Sequence, residues 1–225
     1  MFQGDHHSLT RVMRAAGTTA RRFAHPRVGS EHLVLALTTV DTPVADALAA
    51  HGITEGVLTP VVREVGDHGA GAAADREMLA PLGVDVAGLL PVSALDRPLG
   101  REPLFPLAAA RARERAARAA PPIGLDAQAA YAASLRLALA RRERAHRPEH
   151  LALVLAGVDP GAAWTITQVG ISPAALHDAL AGAFPPPRRN PLLRLERHLG
   201  SHRRRLDLLR RYHRTTGRVP HTLIL

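Results

Sequence analysis

The chain of 225 residues contains neither lysine nor cysteine. Without cysteine there can be no disulfide, no thiolate nucleophile and no cysteine-ligated zinc or iron–sulfur centre. Without lysine the phosphate-binding loop Gly-x-x-x-x-Gly-Lys-Ser/Thr cannot be assembled, which excludes P-loop ATP hydrolysis by this polypeptide. Aromatic residues make up 3% of the chain and β-branched runs are scarce, so the residues that favour strands are in short supply. No apolar run approaches the ~20 residues that cross a bilayer. Met1 to Arg14 is polar and His-rich, with no apolar signal-peptide core. These absences lead us to expect a cytoplasmic protein without membrane association. No Ser/His/Asp or Cys/His grouping has the local context of a nucleophile site, so a non-enzymatic role without cofactor or metal is expected.

What is present is chiefly alanine and leucine, within a hydrophobic share of 46%. Both lose little rotamer freedom in a helix, and small side chains let helices pack closely, so an all-α fold is expected. All 29 basic residues are arginine, and their distribution is uneven. Residues 1–187 are electrically neutral overall. Residues 188–225 hold 11 arginines against Glu196 and Asp207 and so carry the whole excess of +9.

One unit is used twice. Ser30-Glu31-His32-Leu33-Val34-Leu35-Ala36-Leu37 returns as Pro148-Glu149-His150-Leu151-Ala152-Leu153-Val154-Leu155. The same offset of 118 pairs Asp41 with Asp159, Gly52-Ile53-Thr54 with Gly170-Ile171-Ser172, and Leu58 with Leu176. Internal self-similarity at one constant offset marks a repeated structural unit. Each copy reads as four short helices. In the first, Leu9, Val12, Met13, Ala16 and Ala20 form an apolar stripe over Ser8 to Ala24. Ser30 is expected to cap a second helix to about Val40, Asp41 or Thr42 a third stopping at Gly52, and Thr54 a fourth ending near Gly66. In the second copy Asp126 is expected to cap a helix to about His146, Pro148 to open the next, Gly170 to stop the third and Ser172 to cap the last. Four segments follow: repeat 1 over 1–68, a helical insertion or linker over 69–122, repeat 2 over 123–184 and an arginine-rich amphipathic tail over 185–225. Within the insertion, Gly69 to Ala74 reads as a Gly/Ala stretch, Asp75 to Leu95 as weakly helical and Leu107 to Ala120 as helical.

A Gly-Ser-Glu-His-Leu segment opening a helix, with its Glu-His-Leu core used twice and a Gly-Ile-Ser/Thr turn 21 residues after each Glu, resembles the Clp repeat. That repeat forms the doubled four-helix N-domain of Clp unfoldases such as ClpA and ClpC. His25 with Val28-Gly29-Ser30-Glu31-His32 matches the family signature, and Glu149-His150-Leu151 carries it in the second copy after a shortened His146-Arg147-Pro148 loop. The resemblance spans roughly residues 5–184 and implies a tandem, pseudo-two-fold all-α module that docks adaptors, substrates or Clp protease components. In ClpC-type members it also implies binding of phosphorylated arginine or cyclic-peptide ligands. The signature glutamates, Glu31 and Glu149, would then engage a guanidinium beside Ser30. The positions of the family's phosphate-holding hydroxyl fall on His6 and Asp126. His6 can donate to a phosphate when protonated; Asp126 repels one.

Each signal has a plainer reading. Glu31 and Glu149 are first-turn carboxylates that favour a helix dipole without any ligand. His32 and His150 read as histidines tucked against the preceding helix and bonded to backbone. His146-Arg147-Pro148-Glu149-His150 spells an inverted zinc-protease pattern, but Pro148 disfavours helix at Arg147 and leaves His146 outside. In the tail, Arg203, Arg204, Arg205, Arg210 and Arg211 suit an acidic protein partner, a back-packed helix or nucleic-acid phosphates. The sequence therefore favours a non-catalytic Clp-type accessory factor, adaptor or decoy, with a basic nucleic-acid-binding or regulatory protein as the alternative.

Overall fold

A computed structural model describes residues 2–65, 68–83 and 121–187. The segments expected to be helical over 84–95 and 107–120, and the tail with Arg203, Arg204, Arg205, Arg210 and Arg211, lie outside the described residues. Within them the fold is all-α. The helices are α1 His7–Arg22, α2 Ser30–Thr39, α3 Pro43–Ala50, α4 Glu55–Glu64, α5 Gly69–Leu79, α6 Leu125–Ala140, α7 Pro148–Gly157, α8 Pro160–Gln168 and α9 Pro173–Ala183. A 3₁₀ turn, Ala80–Leu82, extends α5.

The offset of 118 persists in three dimensions. It maps the bounds of α1 onto α6 and those of α2 onto α7. It also maps Ala24 (φ 57°) onto Arg142 (φ 63°), and Gly52 (φ 79°) onto Gly170 (φ 77°). Each of these left-handed residues follows a helix and closes a 5→0-type return. His25 N–H bonds Ala20 O, Glu143 N–H bonds Ala138 O, Ile53 N–H bonds Leu48 O, and Ile171 N–H bonds Ile166 O. These are Schellman ends, which satisfy carbonyls the helix leaves orphaned. The ends at Ala24 and Arg142 also place His25 and Glu143 at equivalent points of the two copies.

α2 and α7 are the centre. Ser30 to Leu37 is buried throughout α2, and α7 is buried at Pro148 and from His150 to Ala156. A helix apolar on all sides needs neighbours on all sides: α2 contacts α1, α3, α4 and α7, while α7 contacts α6, α8 and α9. Leu33, Leu35, Leu151, Leu153 and Leu155 are fully buried, each contributing about 1.5–3 kcal/mol of transfer free energy.

The copies are joined by two parallel bridges, Asp5 with His146 and Val28 with Ile123. Adding 118 to Asp5 gives Ile123 and subtracting 118 from His146 gives Val28, so each bridge maps onto the other with the roles of the copies exchanged, as a pseudo-two-fold relation requires. The bonds match as well: His6 N–H to His146 O (2.8 Å) and His146 N–H to Gly4 O (2.9 Å) on one side, Gly124 N–H to Val28 O (2.9 Å) and Val28 N–H to Pro122 O (2.8 Å) on the other.

Two local expectations are corrected. The N-cap of α2 is Gly29, not Ser30, because the His32 ring supplies the cap by accepting the Gly29 N–H at 3.1 Å. The N-cap of α6 is Gly124, not Asp126, and α6 ends at Ala140 rather than near His146, since the left-handed turn at Arg142 sends the chain into the bridge. The first part of the expected helical insertion is α5 itself: the Gly/Ala stretch from Gly69 forms its start, packed against α8.

Candidate functional site

The pseudo-two-fold arrangement builds two clefts, each from the first-helix start of one copy and the second-helix start of the other. Cleft 1 joins the α2 start (Gly29, Ser30, Glu31) to the α6 start (Gly124, Asp126), with Ser30 N–H donating to Asp126 Oδ2 at 2.8 Å. Cleft 2 joins the α7 start (Arg147, Pro148, Glu149) to the α1 start (His6, Ser8), where the charges of Arg147 and Glu149 act on His6. The residue equivalent to Asp126 is therefore Ser8, and the equivalent of His6 is Gly124. The structure corrects the pairing of His6 with Asp126 as matched positions: cleft 2 does hold a hydroxyl, on Ser8.

In cleft 1 Glu31, implied by the resemblance to engage a guanidinium, is buried, with an exposure of 1%. The side chain folds back over Gly29, where a Cβ would stand 2.3 Å from Oε1 and 2.6 Å from the carboxyl carbon. Oε1 lies 2.9 Å from His32 Nδ1, and Oε2 accepts the Ala70 N–H of α5 at 3.2 Å. Burial alone would raise the Glu31 carboxyl, but His32 and the Ala70 N–H outweigh it and hold the group below its ordinary value. Asp126 is raised, first by burial and then by the Glu31 charge. Asp159 is also raised, chiefly by burial, while its Oδ1 caps α8 through the Ala162 N–H at 2.8 Å. Three carboxylates and the N-terminal ends of four helices thus converge, which is favourable because helix N-termini are electropositive.

Cleft 2 is more open. At Gly29's position it has Arg147, so Glu149 has no room to fold back, and the residue is partly exposed. Its Oε2 is nevertheless buried and without a hydrogen-bond partner. Ser8 Oγ lies 2.6 Å from His6 Nδ1. His6 is held below its ordinary pKa by burial first, then by the charges of His7 and Arg147.

Behind the clefts stand the two signature histidines. His150 Nδ1 accepts the Arg147 N–H at 3.0 Å, so its Nε2 carries the proton; it lies 3.0 Å from Glu143 Oε1 but out of line for a hydrogen bond. His32 shares the backbone contact, Gly29 N–H to Nδ1 at 3.1 Å, and its Nε2 lies 3.0 Å from His25 Nδ1, but unlike His150 its Nδ1 also stands against a carboxylate, that of Glu31. His25, Glu31 and His32 bring possible metal-ligand atoms within 4.8 Å of one another. However, His32 meets His25 and Glu31 from opposite edges of its ring, so one ion cannot use all three contacts as they stand.

Sequence reading missed a further constellation. His146 Nδ1 lies 2.9 Å from Asp5 Oδ1, and Nε2 lies 2.8 Å from Ser134 Oγ. The order Asp–His–Ser is that of a hydrolase triad, but Ser134 and His146 are both 0% exposed. Ser134 Oγ also lies 2.9 Å from the Tyr131 carbonyl, to which its O–H can donate. The hydroxyl faces no solvent that could bring a substrate to it. Tyr131 O–H completes the network on Asp5 Oδ2, and burial, followed by the Asp5 charge, pushes that phenol well above its ordinary value. No local pattern could have revealed this, because Asp5 and His146 are 141 residues apart. In the inverted zinc-protease pattern, His146 is accordingly engaged outside the helix that carries His150.

No family model matches the chain, and no curated protein matches it. Among solved structures it is similar to the N-terminal domain of the caseinolytic-protease-associated chaperone ClpD from Arabidopsis thaliana. The identity is 17%, over 81% of this chain and 95% of that one, with a TM-score of 0.48.

Proposed function

We propose that the chain is a non-catalytic peptide- and protein-recognition module of Clp type, with cleft 2 as its working site. The observation that carries this reading is the buried, unpartnered Oε2 of Glu149 at the first turn of α7, beside Arg147, His6 and Ser8. An acceptor without a partner is costly to bury, on the order of 1–3 kcal/mol. A guanidinium that reached it would recover that cost. An anionic group next to the guanidinium would meet Arg147 and the Ser8–His6 pair. Phosphoarginine on a peptide combines both charges at short separation. The doubled Glu-His-Leu segment supports a place in Clp-dependent proteolysis in the cytoplasm, as an accessory factor, adaptor or decoy that engages Clp components, their substrates or cyclic-peptide ligands.

Calorimetry with free phosphoarginine and with a cyclic-peptide Clp ligand tests the reading. Phosphoarginine is expected to bind wild type, with affinity falling at least about tenfold in Glu149→Gln, the scale of one charge-assisted bond. Binding unchanged in Glu149→Gln would overturn cleft 2 as the site. The alternative, a nucleic-acid-binding protein, is favoured only by the concentration of +9 in residues 188–225. It requires retention on DNA or RNA that is lost when those residues are deleted and that weakens steeply with salt.

A further inference from the structure

The two bridges between the copies are alike in backbone and unlike in side chains. Behind cleft 1 the bridge is apolar, Val28 against Ile123, and the positions equivalent to Tyr131 and Ser134 are Met13 and Ala16. Behind cleft 2 it is polar. His146 Nδ1 lies 2.9 Å from Asp5 Oδ1, His146 Nε2 lies 2.8 Å from Ser134 Oγ, and the Tyr131 hydroxyl donates to Asp5 Oδ2. A buried polar network costs desolvation that an apolar contact avoids. The same chain uses the apolar solution at the equivalent place, so the polar one calls for a reason beyond folding.

The reason lies in how each cleft is tied. A bond runs across cleft 1, from Ser30 N–H to Asp126 Oδ2. Its equivalent cannot form in cleft 2, because Pro148 stands at the position of Ser30 and has no N–H, and Ser8 stands at the position of Asp126. The walls of cleft 2, Ser8 with His6 and Arg147 with Glu149, must be held from behind instead. Asp5 and His146 are the residues immediately before His6 and Arg147. Their side chains meet where the backbone bonds His6 N–H to His146 O and His146 N–H to Gly4 O join the copies. The His146 ring also stands 6.0 Å, centre to centre, from the ring of His150, whose Nδ1 accepts the Arg147 N–H. Hydrogen bonds are directional where apolar contact is not. The network therefore fixes the walls in distance and orientation and leaves the space between them free.

We infer that the Asp5–His146 pair, backed by Ser134 and Tyr131, is the positioning device of cleft 2. It sets the Ser8–His6 wall against the Arg147–Glu149 wall at the separation a ligand of mixed charge bridges. The four residues act on a ligand only through those walls. This inference rests on the reading of cleft 2 as the recognition site, but half of its test needs no ligand.

The experiment compares the full wild-type chain with the variant Asp5→Ile, Tyr131→Met, Ser134→Ala, His146→Val, which gives cleft 2 the side chains found behind cleft 1. Amide hydrogen exchange is measured first, without ligand. Exchange at His6 and His146 is expected to quicken by about tenfold or more, while Val28 and Gly124, which make the matching bonds at the other bridge, stay as in wild type. Calorimetry with free phosphoarginine follows, and affinity is expected to fall about tenfold as the walls lose their register. Removing the Asp5 carboxylate would by itself favour an anionic ligand, so the expected fall is opposite in sign to the charge effect. Tyr131→Phe deletes only the hydroxyl on Asp5 and serves if the first variant folds poorly, with changes of about threefold in both measurements. Asp5→Asn keeps an acceptor for His146 Nδ1 and should show wild-type exchange at His6 and His146. Unchanged exchange at those two amides in the apolar variant would overturn the inference, whatever the affinity does. Loosened amides with undiminished affinity would overturn it as well, since the bridge would then serve the fold alone. If wild type itself binds no phosphoarginine, the reading of cleft 2 fails, and the exchange comparison still decides whether the network holds the walls.

Discussion

The carboxylate of Glu31 occupies the space above Gly29 that any side chain there would need. The backbone at Gly29 is ordinary and extended (φ −92°, ψ 179°), so glycine is required for room rather than for conformational freedom. In the other copy the same position is Arg147, and Glu149 is left partly exposed with an unpartnered oxygen. One difference in side-chain size thus separates a structural glutamate from a candidate binding one.

Gly29→Ala should therefore destabilise the protein by about 1–3 kcal/mol, the scale of overpacking and of lost buried hydrogen bonds. In a Glu31→Ala background the same substitution should cost close to nothing, because the colliding group is gone. A double-mutant cycle by urea unfolding measures the difference. Equal costs in both backgrounds would show that the Gly29–Glu31 contact is not what selects glycine.

Much of the fold was legible in sequence because it follows from local rules: the constant offset of 118, Thr42 and Ser172 as caps, Pro148 as an opener and Gly52 and Gly170 as stops all reappear in the helix bounds. The clefts were less legible. Glu31, Glu149, Ser30, His6 and Asp126 do lie at helix starts, but their grouping is an exchange between copies, Asp126 with Ser30 and His6 with Glu149. A repeat read copy by copy cannot display such an exchange. The burial of Glu31 depends on α5, and no local pattern pairs that segment with a glutamate 39 residues earlier. The Asp5–His146 contact has no local signal at all.

The Asp5–Tyr131–Ser134–His146 network sits at one of the two bridges, and at the other the equivalent positions are Ile123, Met13, Ala16 and Val28. The fold therefore accepts either a polar or an apolar solution at this place. His146→Val alone should destabilise by about 2–4 kcal/mol, since it removes the imidazole that both Asp5 Oδ1 and the buried Ser134 Oγ contact. The fourfold variant Asp5→Ile, Tyr131→Met, Ser134→Ala, His146→Val should recover most of that loss, because all partners are replaced together. Chemical denaturation of the two variants decides the point. A fourfold variant no more stable than the single one would mean that the network does more than satisfy itself.

His150 gives the protein a pH dependence of definite sign. The ring is 1% exposed, and burial lowers its pKa against the opposing pull of Glu143. The unfolded chain takes up the proton near the ordinary value of about 6.5, the native chain only at lower pH. Between those two values the unfolded state binds more protons, so stability is fully present above pH 7 and declines as the pH falls through the 6s toward the native value. Asp126 and Asp159, raised mainly by burial, act in the opposite sense, because protonating them favours the native state. Comparison with a variant separates the contributions. His150→Asn keeps an acceptor for the Arg147 N–H but does not titrate, so it should be less stable than wild type at pH 7.5 and show a smaller loss between pH 7.5 and 5.5. Thermal unfolding of both proteins at the two pH values measures it. An identical loss in the variant would assign the titration to another group, with His6, whose pKa is lowered by burial first and then by His7 and Arg147, as the next to substitute.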